Sequence, residues 1–355
     1  LEFLRAGGRV SNVAFLGAKL LNLHPVIEIL DGKLVATKKY RGKMKKVAVQ
    51  MVTEYAEKYN LERDCLWFVW VVGFPDAVRQ AVEEAAKALG FKKTRWIQAG
   101  GFVAVPVVLG AKKNHIPVII HESDITPGLA NKIAMPSARV ICATFPETLQ
   151  YVPKGKGVHT GTPIRKELFE GEREKGLSAC GFSGEKPVLL MMGGSLGAVK
   201  LNDCLREILP ELTKTFDIIH LCGKGNLDEA LQNRTDYKQF EYVSEGLNDL
   251  FAAADFVVSR AGSNSISEFL ALKKPSLLIP LSARASRGDQ ILNAASFEKQ
   301  GFARVLDEDE MTAETMKKEI FALYENKEKY VVAMEKSPAG DGVAAVMTQI
   351  KALMR

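Results

Sequence analysis

Two glycine-rich turns carry the first hint of chemistry, Gly193-Gly194-Ser195-Leu196-Gly197 and Ser259-Arg260-Ala261-Gly262-Ser263-Asn264. Each follows an apolar run and opens a helical pattern. Backbone N–H groups at a helix N-terminus favour an anion, glycines allow close approach, and Ser195 adds a hydroxyl donor. A diphosphate suits that geometry, although a tight left-handed turn without a ligand explains either turn alone just as well. Ser263 or Asn264 can cap the second helix, and Glu268 falls within its first two turns. A carboxylate there is either a partner for the helix dipole, worth about 0.3–1 kcal/mol, or an acceptor for both hydroxyls of a ribose. Together, two anion-type turns and a carboxylate describe a nucleotide site better than any of them separately.

Further polar residues stand at ends of elements. Gly288-Asp289-Gln290 with Asn293 begins another helical pattern, where such residues cap the helix or bind sugar hydroxyls. His121-Glu122 closes an apolar run; a lone His is more often structural, but a strand's carboxyl end favours function. Arg165, in Gly161-Thr162-Pro163-Ile164-Arg165, either neutralises phosphate or is a surface charge. Lys43-Met44-Lys45-Lys46 is most simply a solvated helix face.

The elements that must hold these residues alternate strand and helix. An Asp31-Gly32 hairpin over 25–40 is followed by a helix over 43–60, a strand at 65–72, a helix at 76–89 ended by Gly90, and a strand at 94–98. Beyond the Gly100-Gly101 turn come a helix at 104–114, a strand at 117–121, a helix at 129–135 and a strand at 140–143. A second series starts near 186, with strands at 187–192, 216–222, 240–243, 256–259, 275–280 and 303–306. Helices are expected at 198–214, 247–254, 263–272, 288–300, 312–325 and 340–354, with 226–232 also helical. Apolar strands alternating with helices over about 170 residues imply a doubly wound parallel sheet, which binds ligands at the carboxyl ends of its strands.

Composition excludes several classes. The 355 residues are 47% apolar and 25% charged, which fits a globular protein of two or three domains. The longest apolar stretch, 66–73, is too short to span a bilayer. Arg5, Arg9 and Lys19 among mixed residues are not a signal-peptide layout, and the start at Leu1 rather than Met points to a start missing from this end. Five cysteines without a C-x-x-C spacing support neither a disulfide framework nor a zinc site, so a cytosolic setting is the default. Mapped along the chain, the net charge of +6 is uneven. Residues 1–98 hold 17 Lys and Arg against 10 Asp and Glu, whereas 99–355 hold 31 against 32. Trp67, Trp70 and Trp96 all lie in the first part, so the chain reads as composite.

Five ordered motifs sharpen this. GGFVAVPVVLGAKKNHIPVIIHESDITPGLANK (100–132), TGTPIRKEL (160–168), GGSLGA (193–198), SRAGSNSISE (259–268) and GDQILNA (288–294) closely resemble the MurG-type glycosyltransferases of peptidoglycan synthesis. The resemblance covers about 99–355. It implies a GT-B-like α/β architecture, two Rossmann-like units with a cleft, and inverting transfer of N-acetylglucosamine from UDP-GlcNAc to lipid I, giving lipid II without a metal or cofactor. It places Ser195, Gly194 and Arg165 at the donor diphosphate, with the backbone of 262–267 (Gly262, Ser263, Asn264 and Ser265 among them) on the phosphate side. Glu268 is placed at the ribose diol, Asp289 and Gln290 at the GlcNAc hydroxyls, Asp124 near the GlcNAc, and Val243 or a neighbour beside uracil. Asp124 stands where many relatives have Asn. Gly100 and Gly101 would face the acceptor's diphosphate. The family also docks on the cytoplasmic face of the membrane as a peripheral protein, and nothing implies nucleic acid.

The family's opening turn, T-G-G-G-T-x-G-H, whose His is the usual general base, has no counterpart in 1–98. His121 and Glu122 are the substitutes nearest to hand. Instead, GGRVSNVAFLGAKLLNLHPVIEILDGKLVATKKYRGK (7–43) and the helices and strands from there to about Gln98 resemble the C-terminal domain of DegV-type fatty-acid-binding proteins. The expected organisation is a DegV-like fragment at 1–98, the second half of an acceptor domain at 99–165, a donor-binding domain at 166–340 and a C-terminal helix at 341–355. The resemblance leaves two other functions open: a fatty-acid-binding module, and a hybrid without activity.

Overall fold

An Asp-Gly pair between two β-branched runs should join them as a hairpin, and the runs on either side of 31–32 do pair. In the computed structural model, β1 (Leu23–Leu30) and β2 (Lys33–Arg41) pair antiparallel with Leu30 opposite Lys33, and the register shifts by a bulge between Val26 and Ile27. The structure describes residues 21–354 other than 22, 31–32, 60, 62, 65, 71–75, 99–103, 195–197, 244, 285–287 and 338–340. Two compact units divide the chain, Leu1–Val107 and Val108–Arg355.

In the first unit the hairpin is followed by α1 (Met44–Lys58), β3 (Leu66–Trp70), α2 (Asp76–Ala88) and β4 (Thr94–Gln98). Strands β3 and β4 are parallel, joined by α2 as a β-α-β crossover. Helical spacing selects the core: Val78, Val82 and Ala86 are buried on α2, and Val47, Ala48, Val52 and Ala56 on α1. Residues 43–46 stay exposed, as their charges predict. Gly90, at φ +86°, ends α2 in a conformation that glycine tolerates best.

Helix α3 (Val105–Lys113) straddles the boundary between the units. The second unit then continues with β5 (Ile119–Glu122), α4 (Leu129–Ala134), β6 (Val140–Ala143) and β7 (Gly157–His159), whose strands form a three-stranded parallel sheet. After α5 (Arg173–Cys180) come β8 (Val188–Met192), α6 (Val199–Leu212), β9 (Asp217–Leu221), β10 (Tyr237–Phe240), α7 (Leu247–Ala253), β11 (Phe256–Ser259) and α8 (Ser263–Ala271). The series ends with β12 (Ser276–Leu278), α9 (Asp289–Lys299), β13 (Ala303–Val305), α10 (Ala313–Glu325), α11 (Lys327–Glu335) and α12 (Gly342–Met354). Six parallel strands lie in the order β10-β9-β8-β11-β12-β13. Chain order therefore reverses between β8 and β11, the place where an open parallel sheet parts to admit a ligand.

Three differences from the sequence reading have physical causes. The strand expected at 240–243 lies at Tyr237–Phe240, because Gln239 occupies an inward position where its amide donates to Asp228 O and its Oε1 accepts from Asp228 N–H at 3.1 Å. A polar residue at a core position hides a strand from a hydrophobic pattern. Helix α5 escapes the sequence pattern, since Gly176 sits in its middle. That glycine lets α5 close on α7: a Cβ there would lie 2.1 Å from Asp249 O. Ser263 and Asn264 do not cap α8; its N-cap is Gly262, without a side-chain bond.

A buried polar trio ties the far edge of the six-stranded sheet. Asn202 Nδ2 donates to Cys222 O at 2.8 Å, so its Oδ1 faces His220 Nε2 at 2.9 Å and must accept. His220 Nε2 thus carries the proton, and Nδ1 accepts from Tyr237 Oη–H at 2.7 Å. Burial, with Arg206 nearby, pushes the imidazole down to about 3. The unfolded chain then takes up a proton below pH ~6.5 while the fold does not, so this residue removes about 1.4 kcal/mol of stability per pH unit between ~6.5 and ~3. Nitrogen NMR of His220 should show a neutral Nε2–H ring at pH 5 while the thermal midpoint is already falling; a charged ring at that pH would contradict the assignment.

Candidate functional site

The carboxyl ends of β8 and β11 lead into the two turns singled out from sequence. Gly194 follows β8 at φ +92°, a left-handed conformation suited to glycine; Ser195 lies outside the described residues. After β11, Arg260 turns inward rather than toward solvent. Its guanidinium donates to Ile279 O and Pro280 O at 3.2 and 3.4 Å and pairs with Glu308, clamping the turn to the ends of neighbouring strands. Burial pushes the Glu308 carboxyl up, but Arg260 and the Ser282 N–H outweigh it and hold it below the ordinary value. The first helical bond of α8 runs from Ile266 N–H to Gly262 O at 3.1 Å. The N–H groups of Ser263, Asn264 and Ser265 therefore have no acceptor within the helix, and the dipole favours negative charge there.

These residues meet the loop after β5 across a cavity of about 360 Å³. Its lining is Asp124, Gly262, Ser263, Asn264, Ser265, Asp289 and Gln290, seven of the residues picked from sequence. Gln290 Oε1 accepts from Leu281 N–H at 3.1 Å, which leaves its NH2 as the end that can donate to a ligand. Glu268 lies one turn deeper in α8. Burial raises its carboxyl above the ordinary range, partly offset by Arg165, whose Nη2 is 3.4 Å from Glu268 Oε1. Arg165 is largely exposed, so this pair is weak and exchangeable. Val243 lies in the loop after β10, half-buried against the core. Gly100 and Gly101 lie outside the described residues.

The two residues considered as substitutes for a general base do other work. Glu122 is buried, and its carboxylate accepts from Asp124 N–H and Gly128 N–H at 3.1 Å each and from Asn131 Nδ2 at 2.8 Å. It shapes the 123–128 loop from within. His121 bonds through Nε2 to Gly161 O at 3.1 Å, so that nitrogen donates. Neither side chain lines the cavity.

What sequence reasoning missed is how the cavity walls are fastened. Asp289, Asn293 and Ser296, spaced four and three apart, form one face of α9. Asp289 Oδ1 accepts from Thr126 Oγ1 at 3.2 Å, Asn293 bonds the 124–125 segment, and Ser296 Oγ donates to Glu147 Oε1 at 2.7 Å. Phe297 completes the face, its ring edge-on to Phe145 at 6.1 Å. Thr162 adds a second link, its hydroxyl 3.0 Å from those of both Thr144 and Ser267. The polar spacing on α9 was the available signal.

Known proteins resemble this chain in sequence and fold. The family model described as "Glycosyltransferase family 28 C-terminal domain" matches residues 188–350, and "Glycosyltransferase family 28 N-terminal domain" matches 70–142. Residues 1–100 match "Uncharacterised protein, DegV family". A Lachnospira eligens protein named "UDP-N-acetylglucosamine--N-acetylmuramyl-(pentapeptide) pyrophosphoryl-undecaprenol N-acetylglucosamine transferase" is 57% identical over 252 residues, 71% of each chain. A Clostridium tetani protein of the same name is 52% identical over 278 residues, 78% of each chain. The crystal structure of Acinetobacter baumannii MurG matches with a TM-score of 0.55 and 25% identity, over 72% of this chain and 74% of that one. The transferase likeness thus reaches upstream of the junction read at residue 99, and residues 70–100 match both family models.

The loop geometry makes a prediction for Glu122. In Glu122→Gln an NH2 group must face N–H donors, leaving at least one of them unpaired, so the denaturation midpoint should fall by the equivalent of about 1–3 kcal/mol. Loss of a group used only for proton transfer would leave that midpoint unchanged.

Proposed function

Because the chain belongs to glycosyltransferase family 28, we propose that the cavity between the starts of α8 and α9 and the loop after β5 holds UDP-GlcNAc. The reaction is the family's: N-acetylglucosamine passes with inversion to lipid I, undecaprenyl-diphospho-MurNAc-pentapeptide, and lipid II is formed. The fold is GT-B-like, α/β with parallel sheets. The observation that carries the reading is the convergence of seven sequence-selected residues, from the loop after β5, the turn after β11 and the start of α9, on one cavity.

Each group has a role that its chemistry suits. The free N–H groups at the start of α8 meet the diphosphate, with Gly194 and Ser195 on the β8 side. The half-buried Glu268 carboxylate accepts from both ribose hydroxyls. Arg165 then exchanges Glu268 for a phosphate oxygen, which a weak, exposed pair permits. Gln290, Asp289 and Asp124 address the sugar hydroxyls, and Val243 lies beside the base. Gly100 and Gly101 face the acceptor diphosphate by sequence position. Preorganised donors at the leaving diphosphate stabilise the charge that develops as the glycosidic bond breaks. The family's N-terminal His turn has no counterpart in 1–98, and general-base assistance of the kind that His gives is worth about 10²–10⁴-fold in rate.

Peripheral docking on the cytoplasmic face of the membrane belongs to the same proposal. No helix among the described residues is long and apolar enough to cross a membrane. Helices α3 and α4 carry exposed Leu109, Leu129 and Ile133 alongside exposed Lys112, Lys113 and Lys132, the residue classes that anionic interfaces attract.

Calorimetric titration and a transfer assay with a lipid I analogue test the reading. The chain should bind UDP-GlcNAc, Glu268→Ala should weaken binding by about 10–100-fold, and turnover should trail that of a relative bearing the His turn. A chain that does not bind UDP-GlcNAc, or a Glu268→Ala variant that binds like the parent, would refute the site.

A further inference from the structure

Asn293 is fully buried, yet it carries an amide, which is costly to remove from water unless every bond is replaced. It is the fifth residue of α9, beyond the reach of a cap. Its bonds run instead to the two walls of the cavity. Oδ1 accepts from Ile125 N–H at 3.3 Å, which fixes the orientation of the amide. Nδ2 must then face acceptors, and it donates to Asp124 Oδ1 at 3.0 Å and to Ala261 O at 3.4 Å. One amide therefore holds a cavity-lining carboxylate against the backbone of the turn opposite it.

We propose that Asn293 is the positioning residue for the sugar end of the donor site, a role that rests on reading the cavity as the UDP-GlcNAc site. By occupying Oδ1 it sets the rotamer of Asp124, so that the other carboxylate oxygen is left to accept from a sugar hydroxyl. The Thr126–Asp289 and Glu147–Ser296 bonds hold α9 on either side of it. Loss of its donor therefore frees Asp124 without undocking the helix. The consequence is selective: the sugar-bearing donor loses affinity, and the bare nucleotide, held by the α8 turn and Glu268, does not.

Asn293→Asp is isosteric, keeps the acceptor for Ile125 N–H and turns an oxygen toward Asp124. Titration of the full chain with UDP-GlcNAc and, separately, with UDP should show the Kd for the sugar nucleotide rising about ten-fold or more, with that for UDP changing less than about three-fold. Asp124→Ala should reproduce the selective loss, and it decides the matter if N293D does not fold. The exchange D124N/N293D restores one donor–acceptor pair with reversed polarity and should recover part of the sugar-nucleotide affinity. Equal weakening for both ligands, or an Asp124→Ala chain that binds like the parent, overturns the inference. A parent chain that binds neither ligand overturns the sugar-nucleotide reading instead.

Discussion

The pairing of β8 with β11 is the constraint on which the site depends. Neither strand is at a sheet edge, they pair from Leu189 opposite Phe256 to Met192 opposite Ser259, and their connections leave toward opposite edges of the sheet. The turn after β11 opens α8 beside this divergence, with the N–H groups of Ser263, Asn264 and Ser265 preceding the first helical bond. The surrounding apolar core, including Leu190, Met191, Val257 and Val258 at 0% exposure, makes that place rigid. The Arg260–Glu308 pair then fixes the turn after β11 to the strand ends beside it. Rigid strands supply the position, and the turns supply the chemistry.

Residues that announce themselves by backbone demand were the legible ones. Glycine-rich turns between an apolar strand and a helix state both their conformation and their polarity. The residues at 262–265, 289 and 290 are legible in that way and do line one cavity. Residues that act through a partner distant in sequence were not legible. Asn293 reads as one more polar residue at a helix start until the segment about 170 residues earlier is brought against it. Glu122 reads as a reactive carboxylate at a strand end until the N–H groups of its own loop are seen to consume it. In each case the sequence states the group and only the fold states its partner. Close packing hid elements in the same manner: Gly176 weakens the helical signal of α5 because α7 needs the space.

The composite character of the chain has a counterpart in its family matches. The DegV and transferase models both claim residues 70–100, a segment that begins at the end of β3 and runs through α2 and β4. A parallel strand–helix–strand module with valines and alanines at helical spacing is common to many α/β proteins, so either family can accommodate it. The +7 balance of residues 1–98 lies apart from the cavity, which is lined from a part of the chain with nearly balanced charge.

Gly342 has a consequence for inheritance. A Cβ at this position would stand 2.4 Å from Thr162 O, so the last helix returns to the segment that bonds both Thr144 and Ser267. The unit from 108 onward is thereby stitched shut with its own thread: its final helix, its Thr162 knot and the polar face of α9 all come from within it. Such a piece can be cut from one ancestor and sewn to another leader without re-tailoring its cavity. A gene that exchanged its first hundred codons would pass on the cavity whole, and the proposed acceptor chemistry would be what the splice puts at stake.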